Sequence, residues 1–234
     1  MNGEKNAANE ITVQKPATKL ARLWFRKDGV ARYISHLDLM RCVWRALHRA
    51  KIPIWYTEGF NPRPFMTFAL PLSLGIRGMQ ESVDVKMTAQ IEEKALLQGL
   101  NAGLPEGIVF YAYTDPVMTP GDIRYADFSI KLRSSETPSA LAQKISSALE
   151  QPQLLIEKKT KAGKKQIDIK EGLMRHSIEP QEGFIKLQLL LTAGSVQNTN
   201  PSLLLEAIQN QSQAAFTADI TRLGLLNADM QPFA

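Results

Sequence analysis

Residues 20–51 read LARLWFRKDGVARYISHLDLMRCVWRALHRAK, and the change of rhythm inside this stretch decides the fold class. LARLWFR reads as a strand, Asp28-Gly29 as a tight turn and VARYI as an extended return. From Ser35 onward the period lengthens. Leu39, Val43, Ala46 and Leu47 recur at helical spacing, and Ser35 and Asp38 have the spacing of a capping box, with Asp where Glu is more usual. The helix ends before Pro53.

Downstream come IPIWY, the turn-rich EGFNPRP, MTFALPL, and ESVDVKMT, where Val83, Val85 and Met87 alternate as in a strand with one buried face. Ile91, Ala95, Leu96 and Leu100 place a helix over 90–100, stopped by Gly103 and Pro105 before the strand IVFYAYT. The order is β, α, β, β, α, β. After Asp115-Pro116 and Pro120-Gly121 the series restarts: strand YADFSIKL, helix PSALAQKISSALE, hairpin LLIEKKT and KQIDIK, strand GFIKLQLLL, helix PSLLLEAIQ and strand FTADITRLGLL. The expected fold is α+β: two tandem ferredoxin-like (βαββαβ) units with antiparallel sheets, over 19–116 and 122–230, the second with one additional hairpin strand. A single larger α+β domain is the competing reading. Residues 1–18 are polar and aperiodic and are expected to form a disordered leader.

Composition narrows the function classes. With 44% hydrophobic residues in 234, the chain can bury a core. It contains no apolar run of the ~20 residues a bilayer span needs, and one cysteine, Cys42, which is the usage of a reducing compartment, so the cytoplasm is expected. Cys42 itself is read as a small core residue. One Cys and three His offer neither an iron–sulfur triplet nor an ordinary zinc spacing, and no GxGxxG or Walker A loop is present. No cofactor is expected in this chain.

The net charge of +5 is unevenly spread: ten Lys/Arg against three Asp/Glu over 19–64, and six Lys against two acids over 157–170. Polyanions are therefore expected partners, against the plainer reading of solvated faces. Arg41, Arg45 and Arg49 recur every four residues along one helix face and suit phosphates or an acidic partner. His36 and Asp38 sit at that helix's N-terminus, where the dipole favours Asp and lowers the pKa of His; a neutral His there can act as a base, or Asp38 can be only a cap. In Glu58-Gly59-Phe60-Asn61-Pro62-Arg63-Pro64 the prolines hold an extended loop that can present Glu58, Asn61 and Arg63 to a ligand, or simply organise an edge between strands. Lys158, Lys159, Lys161, Lys164 and Lys165 surround a hairpin turn and would add sequence-independent affinity for nucleic acid. Trp24, Trp44 and Trp55 can stack bases, yet each lies in an apolar pattern and is read as core.

Taken together, YISHLDLMRCVWRALHRAKIPIWYTEGFNPRPFMTFALPLSLG (33–75), with the later KKQIDIK and ITRLGLL, resembles a bacterial radical-SAM-linked family, a domain found beside or fused to B12-binding radical-SAM proteins. The resemblance implies an accessory subunit acting with a radical-SAM protein supplied in trans, so that any iron–sulfur cluster, SAM or B12 belongs to the partner. The family has Arg immediately before Pro201, where this chain has Asn200. The expected function is RNA or substrate recognition within such a system. A stand-alone RNA-processing or RNA-modifying enzyme using His36 with Glu58 or Asp38, and a protein–protein scaffold, are the alternatives.

Overall fold

The computed structural model describes residues 18–160 and 163–234, so all of the expected leader except Thr18 lies outside the described residues. The first half comprises β1 (Lys19–Lys27), α1 (His36–Arg49), β2 (Met66–Phe68), β3 (Arg77–Met87), α2 (Glu93–Asn101) and β4 (Ile108–Thr114). The second comprises β5 (Tyr125–Arg133), α3 (Pro138–Glu150), β6 (Leu155–Thr160), β7 (Gly163–Asp168), β8 (Leu173–Gln181), β9 (Phe184–Thr192), α4 (Pro201–Ser212) and β10 (Thr217–Leu226).

Antiparallel pairings build β4-β1-β3-β2 in the first half and β10-β5-β9-β8 in the second. The two are not separate sheets. β2 is only three residues long and covers Val83–Val85, which leaves the other end of the same β3 edge open. There β10 pairs in parallel, Thr221 opposite Arg77 and Arg222 opposite Gly78, and makes one mostly antiparallel eight-stranded sheet.

Alternation puts two apolar cores on the helix side. Leu23, Phe25, Val83 and Val85 pack with Leu39, Val43, Leu96 and Leu100 beneath α1 and α2. Phe128, Ile130, Leu187 and Leu189 pack with Leu141, Ile145, Leu204 and Ile208 beneath α3 and α4. On the opposite face, the connection after β4 and the last residues cross the first half. The Arg22 Nη2 donates to Met118 O at 2.7 Å, Met118 N–H donates to Ala234 O at 2.7 Å, and Phe233 lies edge-on to Trp24.

Several sequence expectations need correction. Before β2, Ile54 and Tyr56 make isolated bridges to Met87 and Pro64. Of MTFALPL only Met66–Phe68 is a strand, because Pro71 cannot donate to a ladder. LMRHSIEPQ is a strand that the sequence reading missed: an edge strand, largely solvent-facing and carrying Pro180, so it lacks an apolar alternation. Among the described residues the β6/β7 hairpin is an insertion whose strands pair only with each other. No helix among the described residues is long and apolar enough to cross a membrane.

Candidate functional site

Helix α1 begins where the sequence places it. The Ser35 Oγ accepts the Asp38 N–H at 3.2 Å, but the return bond of a capping box is replaced by the Ser35 hydroxyl donating to the Asp38 carboxylate at 2.7 Å. The bond from the Ser35 hydroxyl, and then that from Arg41 Nη1 at 2.9 Å, hold the Asp38 carboxyl below its ordinary pKa. Leu39, Val43, Ala46 and Leu47 are buried, while Leu37, Arg41, Trp44, Arg45, His48 and Arg49 form the outward face. Arg49 also donates to Gly103 O, the carbonyl just beyond the end of α2.

The proline-flanked loop faces this helix. Thr57 N–H donates to Arg63 O at 2.8 Å and Arg63 N–H to Thr57 Oγ1 at 3.0 Å, closing the loop at its neck. Gly59 takes a φ of 126°, a left-handed conformation that a side chain would strain. Below the neck, Trp55 and Phe65 flank the Lys86 ammonium at 5.0 and 4.4 Å, which anchors both legs.

Between helix and loop runs a cleft of about 580 Å³. Leu37, Met40, Trp44 and Met66 supply apolar walls, Pro62 and Pro64 a rigid rim, and Arg41, Asn61 and Arg63 the polar groups. Two segments some twenty residues apart in sequence thus converge. Trp44, read as core from the apolar helix pattern it lies in, instead retains 39% of its surface and lines the cleft. Phe60 at the loop tip is fully exposed. Trp24 and Trp55 are half-buried.

The acid–base candidates do not gather there. His36 is half-buried with its ring edge-on to Phe68 at 5.2 Å, and its Nδ1 has no partner among the described residues. Its pKa is lowered by burial first and by the Lys27 ammonium second, rather than by the helix dipole. Glu58 is exposed on the loop. Neither His36 nor Glu58 lines the cleft that holds Arg63. Cys42 is half-buried rather than core. Lys158 and Lys159 on β6 stand opposite Lys165 and Lys164 on β7; Lys161 lies outside the described residues.

A group of buried charges was missed from sequence. Lys27 is fully buried and its Nζ donates to Ile34 O at 2.6 Å; burial lowers its pKa. Arg222 grips Glu81 through Nε at 2.9 Å and Nη2 at 2.5 Å, and Nη2 also donates to Leu70 O. A Cβ at Gly78 would fall 2.4 Å from the Glu81 carboxylate, so the bare backbone at 78 is what admits it. Nearby, Asp219 of β10 receives Arg32 at 2.9 Å and Arg77 at 2.8 Å. These ion pairs stitch β10 to the first half. Among the described residues no group of three or more His, Cys, Asp or Glu could hold a metal ion.

The mixed α+β architecture and its helix-and-loop cleft can be set beside known proteins. The chain belongs to a family described as uncharacterized protein conserved in bacteria (DUF2344), which matches residues 21–201 and so includes both cleft segments. No curated protein matches it. Among solved structures it is similar to a chain of the crystal structure of a Cbf5-Nop10-Gar1 complex, at 10% identity and a TM-score of 0.47. The match covers 88% of this chain and 48% of that one, so this chain spans about half the length of that relative. It is also similar to an unknown protein from Galdieria sulphuraria, at 11% identity and a TM-score of 0.26, over 88% of this chain and 99% of that one.

Proposed function

We propose that this protein is a non-catalytic recognition subunit that binds RNA and acts in the bacterial cytoplasm with a radical-SAM protein supplied in trans. The observation that carries the RNA part is the convergence of Arg41 with Asn61 and Arg63 across one cleft, beside the exposed guanidinium of Arg45. A basic surface of this kind binds phosphates without needing base sequence. The partner rests on the family resemblance of residues 33–75. We read each half as a ferredoxin-like unit, a reading supported by the orders β4-β1-β3-β2 and β10-β5-β9-β8. The catalytic alternative draws no support from His36 and Glu58, which line no common cleft with Arg63.

Total cellular RNA titrated against the purified chain at rising salt tests the RNA part. Binding is expected to weaken steeply with salt, and in an Arg41→Ala, Arg45→Ala, Arg63→Ala variant the salt slope is expected to shrink by roughly 0.7 per single-strand contact removed. Absence of binding at low salt overturns the RNA reading.

A further inference from the structure

We propose that the cleft between α1 and the 58–64 loop seats one unpaired nucleotide of single-stranded RNA, its base on the Trp44 ring and its flanking phosphates on Arg41 and Arg63. This rests on the RNA-binding reading above and deepens it by naming the strandedness and the seat. Sequence-specific RNA recognition works on unpaired bases, which lie on aromatic or guanidinium planes and offer their edges to hydrogen bonding. The cleft brings those parts together. Trp44 gives a partly open ring, Met40 and Met66 give adaptable apolar walls, and Asn61 carries both a donor and an acceptor for a base edge.

Rigidity favours the same ligand. The closed neck at Thr57 and Arg63 and the two prolines hold Asn61 and Arg63 in place before anything binds, so little ordering entropy is lost on binding. An acidic peptide would meet the same arginines. The basic charge, however, does not stop at the rim: Arg45 and Arg49 follow Arg41 along α1 at four-residue steps of about 6 Å, and Lys51 follows the helix. A regular track suits a polymer charged at every residue better than a peptide with occasional carboxylates. Duplex RNA keeps its bases stacked and would use only the charge.

The test is fluorescence titration of the full chain with a 12-nucleotide oligouridylate and, separately, a 12-base-pair RNA duplex, comparing the unchanged protein with Trp44→Leu and Arg63→Gln. Circular dichroism and thermal melting of each variant establish that it is folded. Expected is quenching of tryptophan emission by the single strand, lost in Trp44→Leu together with about ten-fold in single-strand affinity, while duplex affinity stays within about two-fold. Arg63→Gln should weaken both RNAs and reduce the salt slope by roughly 0.7 for the single strand. If folded Trp44→Leu binds the single strand as well as the unchanged chain does, the seat is overturned and the RNA reading survives. If neither RNA binds at low salt, both fall. If a 15-residue amphipathic Glu/Leu helical peptide quenches Trp44 where RNA does not, the occupant is a protein and the seat for RNA is overturned.

Discussion

The first half runs β-α-β-β-α-β and the second β-α-β-β-β-β-α-β, and the two differ most at the strand that immediately precedes the long strand β3 or β9. In the second half that strand, β8, runs nine residues along β9. In the first half its counterpart β2 is three residues, preceded by a long irregular passage from Pro53 to Phe65. The truncation has two consequences. It leaves the Arg77 end of β3 for β10, which joins the sheets, and it frees the backbone before β2 to become the loop that faces α1. The cores differ in the same sense. The helix side of β5 and β9 is apolar throughout, Ala126, Phe128, Ile130 and Leu132 against Ile185, Leu187, Leu189 and Leu191. The helix side of β1 and β3 ends in Lys27 and Glu81. The second half carries the longer apolar alternation, while the first supplies the cleft and the β3 edge on which β10 closes the seam.

The comparison breaks most visibly at the seam. Arg222→Ala strands a buried Glu81 carboxylate, and loss of one member of a buried pair costs about 3–5 kcal/mol. Urea denaturation should show that loss in one cooperative transition, and Glu81→Met with Arg222→Met should recover most of it. Two separate transitions in the unchanged chain would mean that the halves are independent and that β10–β3 pairing does not unify them.

A smaller effect is expected at the outer edge of the first half. Asn101 accepts the Phe110 N–H and donates to the Phe110 carbonyl, both at 2.8 Å, so Asn101→Ala leaves two backbone groups without partners. The expected cost is about 1–3 kcal/mol in thermal or denaturant unfolding. A cost near zero would show that water replaces Asn101 there.

His36 gives a pH signature confined to the first half. Its folded pKa lies below 6.5, so between the two values the unfolded chain binds more protons than the folded one. This contribution to stability is therefore full above about 6.5 and falls as the pH drops through the folded value. His36→Gln should flatten that fall in Tm measured from pH 7.5 to 5; an unchanged slope would assign it to other groups. The smallest effect belongs to the second half's insertion. Lys158 opposite Lys165 and Lys159 opposite Lys164 set like charges in consecutive cross-strand pairs. Lys165→Gln should stabilise by a few tenths of a kcal/mol, within the range of such pairs, and should flatten the salt dependence of the proposed RNA binding. A loss of stability instead would mean that the repulsion is already relieved within the protein.

On α1 and β3 the sequence showed the apolar skeleton well because period is a local property, whereas on α2 only Leu96 and Leu100 of the four marked positions are buried, Ala95 being exposed and Ile91 preceding the helix. All four positions marked on α1 are buried, and Val83, Val85 and Met87 all face the core. The long-range features were less legible. Pro71 marks a local limit to β2, but nothing local says that β10 reaches β3 rather than closing only its own half. Yet one clue lay in plain view: counting back by two from Val83 lands on Glu81, and on from Leu23 and Phe25 lands on Lys27, so both charges share the parity of core residues. Their burial follows from that parity once Gly78 leaves room and Arg222 arrives from a strand 141 residues away. Trp44 went astray for the opposite reason. It lies within an apolar helix pattern, but it stands next to Val43, about 100° around from the buried stripe, and so meets the loop instead of the sheet.

The two ends of the eight-stranded sheet are not equivalent. At β4, Asn101 occupies both hydrogen-bonding groups of Phe110 and Glu93 accepts the Tyr113 N–H, so α2 fills the sites another strand would need. At β8 no strand pairs with the outer edge among the described residues, and Pro180 removes one donor from that strand. The sheet therefore has a polarity of growth: among the described residues, β8 offers strand addition, whether by a partner's segment or by an engineered extension, an edge that α2 does not occupy as it does at β4.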